Sequence, residues 1–194
     1  MQIKLPEPRL KSTISIEECI FERRSIRNFL NQEIELEKIS QILWAAQGKK
    51  GSKKTVPSAG ASYPLEIYVI IKEKGIFLYN FQNHLLRLKQ KGKFSKNLAN
   101  AALNQIFIHE APLNIIICAD YQRTCNRYGS RGKRYVLIEV GHCAQNIHLE
   151  TVALGLGSVP IGAFEDQSIK EVLKLPNNIE PIYIIPIGYY DGNR

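Results

Sequence analysis

Apolar residues along this 194-residue chain follow two rhythms. Leu36, Ile39, Ile42, Leu43 and Ala46 recur at three- and four-residue spacing, which predicts a helix over 35–47 that Gly48 stops. Ile16, Cys19 and Ile20 keep the same spacing behind Ser15, a hydroxyl able to cap a helix start, with Glu17 and Glu18 in the first turn. A helix is therefore expected over 15–25. Leu98, Ala102, Leu103, Ile106 and Phe107 mark one face of a third, from Lys96 to His109, ended by Pro112. The longest helical pattern runs from about Arg134 to Leu154, closed by Gly155-Leu156-Gly157. Val136, Leu137, Val140, Ala144, Ile147, Leu149 and Ala153 make it apolar on more than one side, as a central, buried helix would be. A short helix is expected from Ser168 to Leu175.

The second rhythm is that of strands. Leu65–Ile71 is β-branched and aromatic, 75–81 turns back on it, and 85–88 adds a short third piece. Ile115–Ala119 is a continuous apolar run, as in a strand covered on both faces. The last strand is 182–188, where Pro186 points to an edge position or a bulge. Irregular alternation of helices with strands gives an α+β class: a small, mostly antiparallel sheet surrounded by helices, with a long central helix. No repeat or linker divides residues 1–194, so a single domain is expected.

Composition narrows the picture. Hydrophobic residues at 44% and charged ones at 23% are ordinary for a globular protein. No apolar run is long enough to span a bilayer, and the first residues lack a signal peptide's apolar core, so a cytoplasmic protein is expected. Cys19, Cys118, Cys125 and Cys143 form neither a CxxC pair nor a zinc-like spacing with histidine, and Cys118 and Cys143 read as reduced core thiols. The net charge of +8 is densest in Lys49-Lys50-Gly51-Ser52-Lys53-Lys54. That loop lacks the interleaved aromatics or the motif of a nucleic-acid module, and reads as solvated and flexible.

Four segments are hard to explain by folding alone. Arg23-Arg24-Ser25-Ile26-Arg27 concentrates three guanidinium groups and a hydroxyl, a donor set suited to phosphate oxygens. Pro57-Ser58-Ala59-Gly60-Ala61-Ser62-Tyr63-Pro64 is a stiff loop of small residues that lets a flat ligand approach the backbone. Pro160-Ile161-Gly162-Ala163-Phe164 presents backbone after the long helix. Gly141-His142-Cys143-Ala144-Gln145-Asn146 puts polar amides inside that helix, where each needs a partner or a polar ligand.

In this order the segments resemble the nitroreductase family of flavoproteins, and within it the SagB-type dehydrogenases. The resemblance spans about Ser15 to Tyr189 and is most specific from Tyr128-Gly129-Ser130-Arg131-Gly132-Lys133-Arg134-Tyr135 into Glu139-Val140-Gly141-His142 and Gln145-Asn146. It implies a nitroreductase-like fold and a homodimer holding two FMN molecules between the subunits. Arg23, Arg24 and Ser25 would hold the FMN phosphate, and Arg27 would reach toward the pyrimidine edge. Ser58, Ala59 and Gly60 would pack beside the ring from the partner subunit. Ile161, Gly162 and Ala163 would bring backbone to N5 and O4, with Gln145 in the ring's surroundings.

The activity implied is hydride transfer through the flavin, from NADH or NADPH to a small electron-poor acceptor. No GxGxxG follows a strand, so donor and acceptor would share one face. Azoline-oxidising SagB-type members carry a Lys-Tyr pair, and here the positions read Arg127-Tyr128. Tyr128 remains the candidate acid/base, but an arginine does not give up its proton. Those members also tend to be longer, with a leader-binding region ahead of this domain, for which this chain has no room. Arg194 is a candidate for the phosphate contact that many nitroreductases draw from beyond the last strand. Two alternatives remain open: oxidation of a peptide-derived azoline, and a flavin-binding or basic module without turnover. Segments 48–56 and 121–133 are expected to cover the site.

Overall fold

The two rhythms become a seven-stranded sheet faced by helices in the computed structural model, which describes residues 1–192. In chain order the elements are β1 (Gln2–Lys4), α1 (Ile16–Glu22), α2 (Leu36–Gln47), β2 (Lys49–Lys50), β3 (Lys53–Lys54), β4 (Leu65–Ile71), β5 (Gly75–Asn80) and β6 (Leu85–Lys91). Then follow α3 (Ser95–Ala101), α4 (Ile106–Glu110), β7 (Leu113–Ala119), α5 (Tyr121–Tyr128), α6 (Gly132–Ala153), β8 (Gly157–Ser158), α7 (Asp166–Leu173) and β9 (Glu180–Gly188). The sheet order is β1-β6-β5-β4-β7-β9-β8, and each named pair is antiparallel.

Strand alternation sorts the core into two layers. Ile67, Val69, Ile115 and Ile117 face α2 and α6, meeting Ile42, Leu43, Val136, Val140 and Ile147. Tyr68, Ile70, Ile116 and Ile184 face the other way, onto Leu98, Ile108, Ile169 and Leu173 of α3, α4 and α7. Burial on both faces explains why β7 is apolar at nearly every position. Cys118 and Cys143 lie in these layers as buried free thiols.

Several expectations need correcting. The helix expected over 96–109 is two helices, because Leu103 and Asn104 take left-handed backbone (φ 56° and 59°). Asparagine tolerates that region, and the Gln105 amide donates to the Ala102 carbonyl at 2.9 Å, closing the end of α3. The 121–133 segment is helical, as α5 and a short 3₁₀ turn, and an unforeseen β1 lengthens the sheet beside β6. Pro186 sits in the interior of β9, and the extra residue of that strand is Ile182. The Pro186 carbonyl accepts from Val159 N–H at 3.4 Å, so its missing donor falls on the sparsely paired side, away from β7. Within one chain α6 buries a single stripe, while Leu137 (51% exposed) and Ile138 (48%) face outward.

Candidate functional site

The arginine turn begins where α1 stops. Ser15 and Glu18 form a reciprocal cap at the helix start: Ser15 Oγ accepts Glu18 N–H at 3.2 Å, and Glu18 Oε2 accepts Ser15 N–H at 2.7 Å. Arg23 donates its N–H to the Cys19 carbonyl at 3.1 Å and leaves helical backbone. The next residues lie along β8, with Ser25 bridged to Ser158 in parallel and Ile26 N–H donating to the Ser158 carbonyl at 3.0 Å. Gly157 permits this approach, since a Cβ there would lie 2.7 Å from Ile26 Cβ. Arg24, Ser25 and Arg27 are exposed, and the Arg24 guanidinium stands 6.0 Å from the centroid of Tyr190.

Beneath the turn is a buried polar cluster. Ser158 Oγ lies 2.7 Å from His148 Nδ1 and 2.9 Å from the Thr151 hydroxyl, which also reaches the His148 carbonyl at 2.8 Å. Burial, reinforced by Arg23, pushes His148 down to about 4, so the ring is neutral near pH 7. A neutral ring supports the turn without adding charge to it.

The small-residue loop sits elsewhere. Gly60, Ala61 and Tyr63 all have positive φ (57°, 53° and 46°), a strained run that its hydrogen bonds hold in place. Ser58 Oγ accepts Tyr63 N–H at 2.9 Å, and Ser62 Oγ bonds the Ala59 carbonyl and Thr124. From outside, Arg127 Nη1 donates to the Gly60 carbonyl at 3.2 Å. Tyr128 is half-buried and stands edge-on to Tyr135, ring centroids 5.1 Å apart.

Under this loop lie two residues that the sequence reading missed. Glu139 of α6 is 3% exposed, its carboxyl is hydrogen-bonded by Ser58, and its Oε1 has no partner among the described residues. Burial raises its pKa to about 7, against the opposing effects of Ser58 and Lys54. Lys54, expected in a solvated loop, is instead 8% exposed at the end of the β2–β3 hairpin. Its ammonium lies 3.8 Å from the ring centroid of Phe81 and 5.0 Å from that of Tyr63. Burial lowers it to about 8, with Glu139 pulling the other way. A lone carboxylate between Val136 and Cys143, on the stripe facing the core, was the signal for Glu139. Lys54 had none, because its neighbours in the lysine run are exposed or set no pattern.

The third segment shares the sheet edge with the arginines. Ile161 exchanges backbone hydrogen bonds with Ile184 at 2.8 and 2.9 Å, then Gly162 and Ala163 lie exposed. Gln145 is exposed on α6, whereas Asn146 is engaged by donating to the Ala45 carbonyl at 3.1 Å. Arg194 lies outside the described residues.

Strand register shows which segments one chain brings together. Ser158, and with it Ser25, is level with Ile187 and Leu113; the 57–64 loop enters β4 at Leu65, level with Ala119. Leu113 and Ala119 are opposite ends of β7, roughly 20 Å apart at about 3.3 Å per residue. The arginine turn therefore sits at one end of β7 and the small-residue loop with Arg127 and Tyr128 at the other, while Ile161, paired with Ile184, is level with Ile116 between them.

The profile of the nitroreductase family matches residues 20–189, and the chain belongs to that family. The Methanocaldococcus jannaschii protein MJ1384, named as a nitroreductase, is 43% identical over 195 residues, covering 97% of this chain and 96% of that one. A crystal structure of a Ralstonia eutropha protein, also named as a nitroreductase, superposes with a TM-score of 0.88 at 27% identity, over 99% of this chain and 90% of that one. The Bacillus subtilis FMN reductase [NAD(P)H] is 25% identical over 182 residues, covering 87% of this chain and 63% of its own. Among the described residues, no helix is long and apolar enough to cross a membrane, and no cluster of His, Cys, Asp or Glu is arranged to hold a metal ion.

Proposed function

We propose that this nitroreductase-family oxidoreductase uses FMN and works as a homodimer, passing hydride from NADH or NADPH to a small electron-poor acceptor. The observation that carries this reading is the Arg23–Arg27 turn, with Arg24, Ser25 and Arg27 exposed, fastened to β8 on the same sheet edge as the exposed Gly162 and Ala163. Its donors fit a phosphate monoester: arginine forks and the Ser25 hydroxyl, over a buried neutral His148 that adds no charge. Bound FMN would supply hydride chemistry at N5. Arg23, Arg24 and Ser25 hold its phosphate in this reading, Arg27 favours negative charge at the pyrimidine edge, and Ile161–Ala163 lend backbone to N5 and O4.

The separation of the two segments supports a dimer. In this reading the ring whose phosphate lies at one chain's arginine turn meets the 58–60 loop of the second chain. α6 runs between these places, Glu139 near the loop and His148 near the arginines, and Leu137, Ile138, Gly141 and Gln145 lie on its exposed side. Gly141 has open space around the position of a Cβ, so a second α6 can approach closely there. A two-fold axis near Gly141 would pair each arginine turn with the partner's loop, and exposed Ile16, Ile20 and Phe21 of α1 would extend the covered area.

The 57–69 and 128–135 segments still resemble SagB-type dehydrogenases, but Arg127 is a permanent cation tied to the Gly60 carbonyl. That supports a clamp rather than a base, and favours reductase chemistry over azoline oxidation with Tyr128 as acid/base. The visible spectrum of the purified protein, before and after anaerobic NADH or NADPH, tests the proposal. Flavin peaks that bleach are expected. A protein that is colourless and takes up no added FMN overturns it.

A further inference from the structure

Ser58 links two chemistries. On one side it belongs to the loop that would face the ring; on the other it bonds a buried carboxyl that has no other hydrogen-bond partner among the described residues. We propose that Glu139 and Lys54 form a buried proton-holding pair that sets whether Ser58 offers the site a hydrogen-bond donor or an acceptor. The inference rests on the flavin reading for what lies outside Ser58, and on this chain's geometry for the rest.

A serine hydroxyl has one proton to give and two lone pairs to fill. One lone pair of Ser58 is fixed by Tyr63 N–H at 2.9 Å. While Glu139 is a carboxylate it can only accept, so the Ser58 proton turns inward to it and the second lone pair faces out. When Glu139 is protonated the roles reverse. The carboxylic acid donates to that lone pair, and the Ser58 O–H is released to point into the site. One proton on Glu139 thus changes the outer face of Ser58 from acceptor to donor, without moving a heavy atom.

The surroundings hold that proton near neutrality. Glu139 Oε1 is buried without a partner among the described residues, where Ser58 and the more distant Lys54 offset the cost of its charge. Lys54 is itself packed between the rings of Tyr63 and Phe81, where water cannot solvate its ammonium fully. The charged or titratable groups facing Lys54 are Glu139 and Cys143 from α6, Arg123 from α5 and Glu66 from β4; Glu139 faces Ser58, Lys54 and Cys143. The two groups come to about 7 for Glu139 and about 8 for Lys54, so modest pH changes exchange a proton with the pair.

In the proposed reaction an acceptor that takes up a hydride also gains a negative charge, which a proton must neutralise. Ser58 in its donor state can give its proton to that acceptor and take the carboxyl proton of Glu139. This leaves Glu139 a carboxylate beside the Lys54 ammonium, and solvent restores the proton.

Two measurements test this. Infrared spectra of the protein between pH 5.5 and 9 read protonated carboxyl groups directly. A band that fades as pH rises through neutrality, missing in Glu139→Gln and displaced to higher pH in Lys54→Met, is expected. The upward sign follows because removing the ammonium leaves the buried carboxylate less favoured. FMN titrations over the same range are expected to show a wild-type to Glu139→Gln ratio of dissociation constants that changes several-fold where the band fades. No band lost in Glu139→Gln, or a ratio constant with pH, overturns the switch. A protein that binds no FMN at any pH overturns the flavin reading instead, and the infrared arm then decides the proton pair by itself.

Discussion

Gly60 and Tyr128 lie so close that residue 60 has no room for a side chain: a Cβ there would stand 2.7 Å from the Tyr128 hydroxyl and 2.7 Å from Arg127 Nη1. Gly60 also has a φ of 57°. Gly60→Ala is therefore expected to cost about 1–2 kcal/mol from left-handed backbone alone, and to push Arg127 and Tyr128 off the loop. Urea unfolding reads the first effect. The second appears as a change in Tyr128 fluorescence or in bound flavin. Unchanged stability would show that the loop rearranges freely.

Arg23→Ala should separate the phosphate from the ring. Losing a charge-assisted hydrogen bond costs roughly 1.5–3 kcal/mol, so FMN affinity should fall on the order of 10- to 100-fold. Riboflavin, which lacks the phosphate, should bind the variant and the wild type alike. Equal losses for both ligands would place Arg23 away from the phosphate.

His148 imposes a direction on acid stability. Its native value, about 4, lies below the 6.5 of a free histidine. The unfolded chain therefore takes up a proton first, and stability is lost as pH falls from about 6.5 toward 4. The full difference of about 2.5 units amounts to roughly 3 kcal/mol. In His148→Gln that part of the slope should vanish from urea midpoints measured across this range, whatever the other groups contribute. A slope unchanged by the substitution would mean that the ring titrates normally.

The outward face of α6 should carry assembly. Leu137→Asp puts a charge on the exposed apolar stripe, where it costs little in a lone chain but opposes pairing. Sedimentation is expected to give a dimer for the wild type and a monomer for the variant, with flavin lost in parallel. A monomeric wild type that retains FMN would exclude the shared site.

How much of this was legible depends on how local each signal is. Helix 35–47 and strand 65–71 were readable because their apolar spacing and their bounds, Gly48 and Pro64, lie within the segment itself. The break at Leu103 and Asn104 was not, since the apolar positions continue across it and the backbone reversal leaves no mark on periodicity. Exposure of Leu137 was hidden for a related reason. An apolar residue on an exposed helix face reads like one that faces the core, so α6 looked buried all round. The arginine turn stood out by charge density, whereas Lys54 was lost in a run of lysines whose composition implied solvent. Its burial depends on Phe81 and Tyr63, brought over it by the strands.

The bridge between Ser25 and Ser158 also has a consequence for solubility. β8 would otherwise end the sheet with open backbone groups, a template on which another chain could add a strand. The segment laid along it contributes Arg24 and Arg27, two exposed cations that repel a like edge from a neighbouring molecule. The same five residues that suit a phosphate thus act as a guard rail for the sheet. Substitutions there should be scored for aggregation as well as for ligand binding.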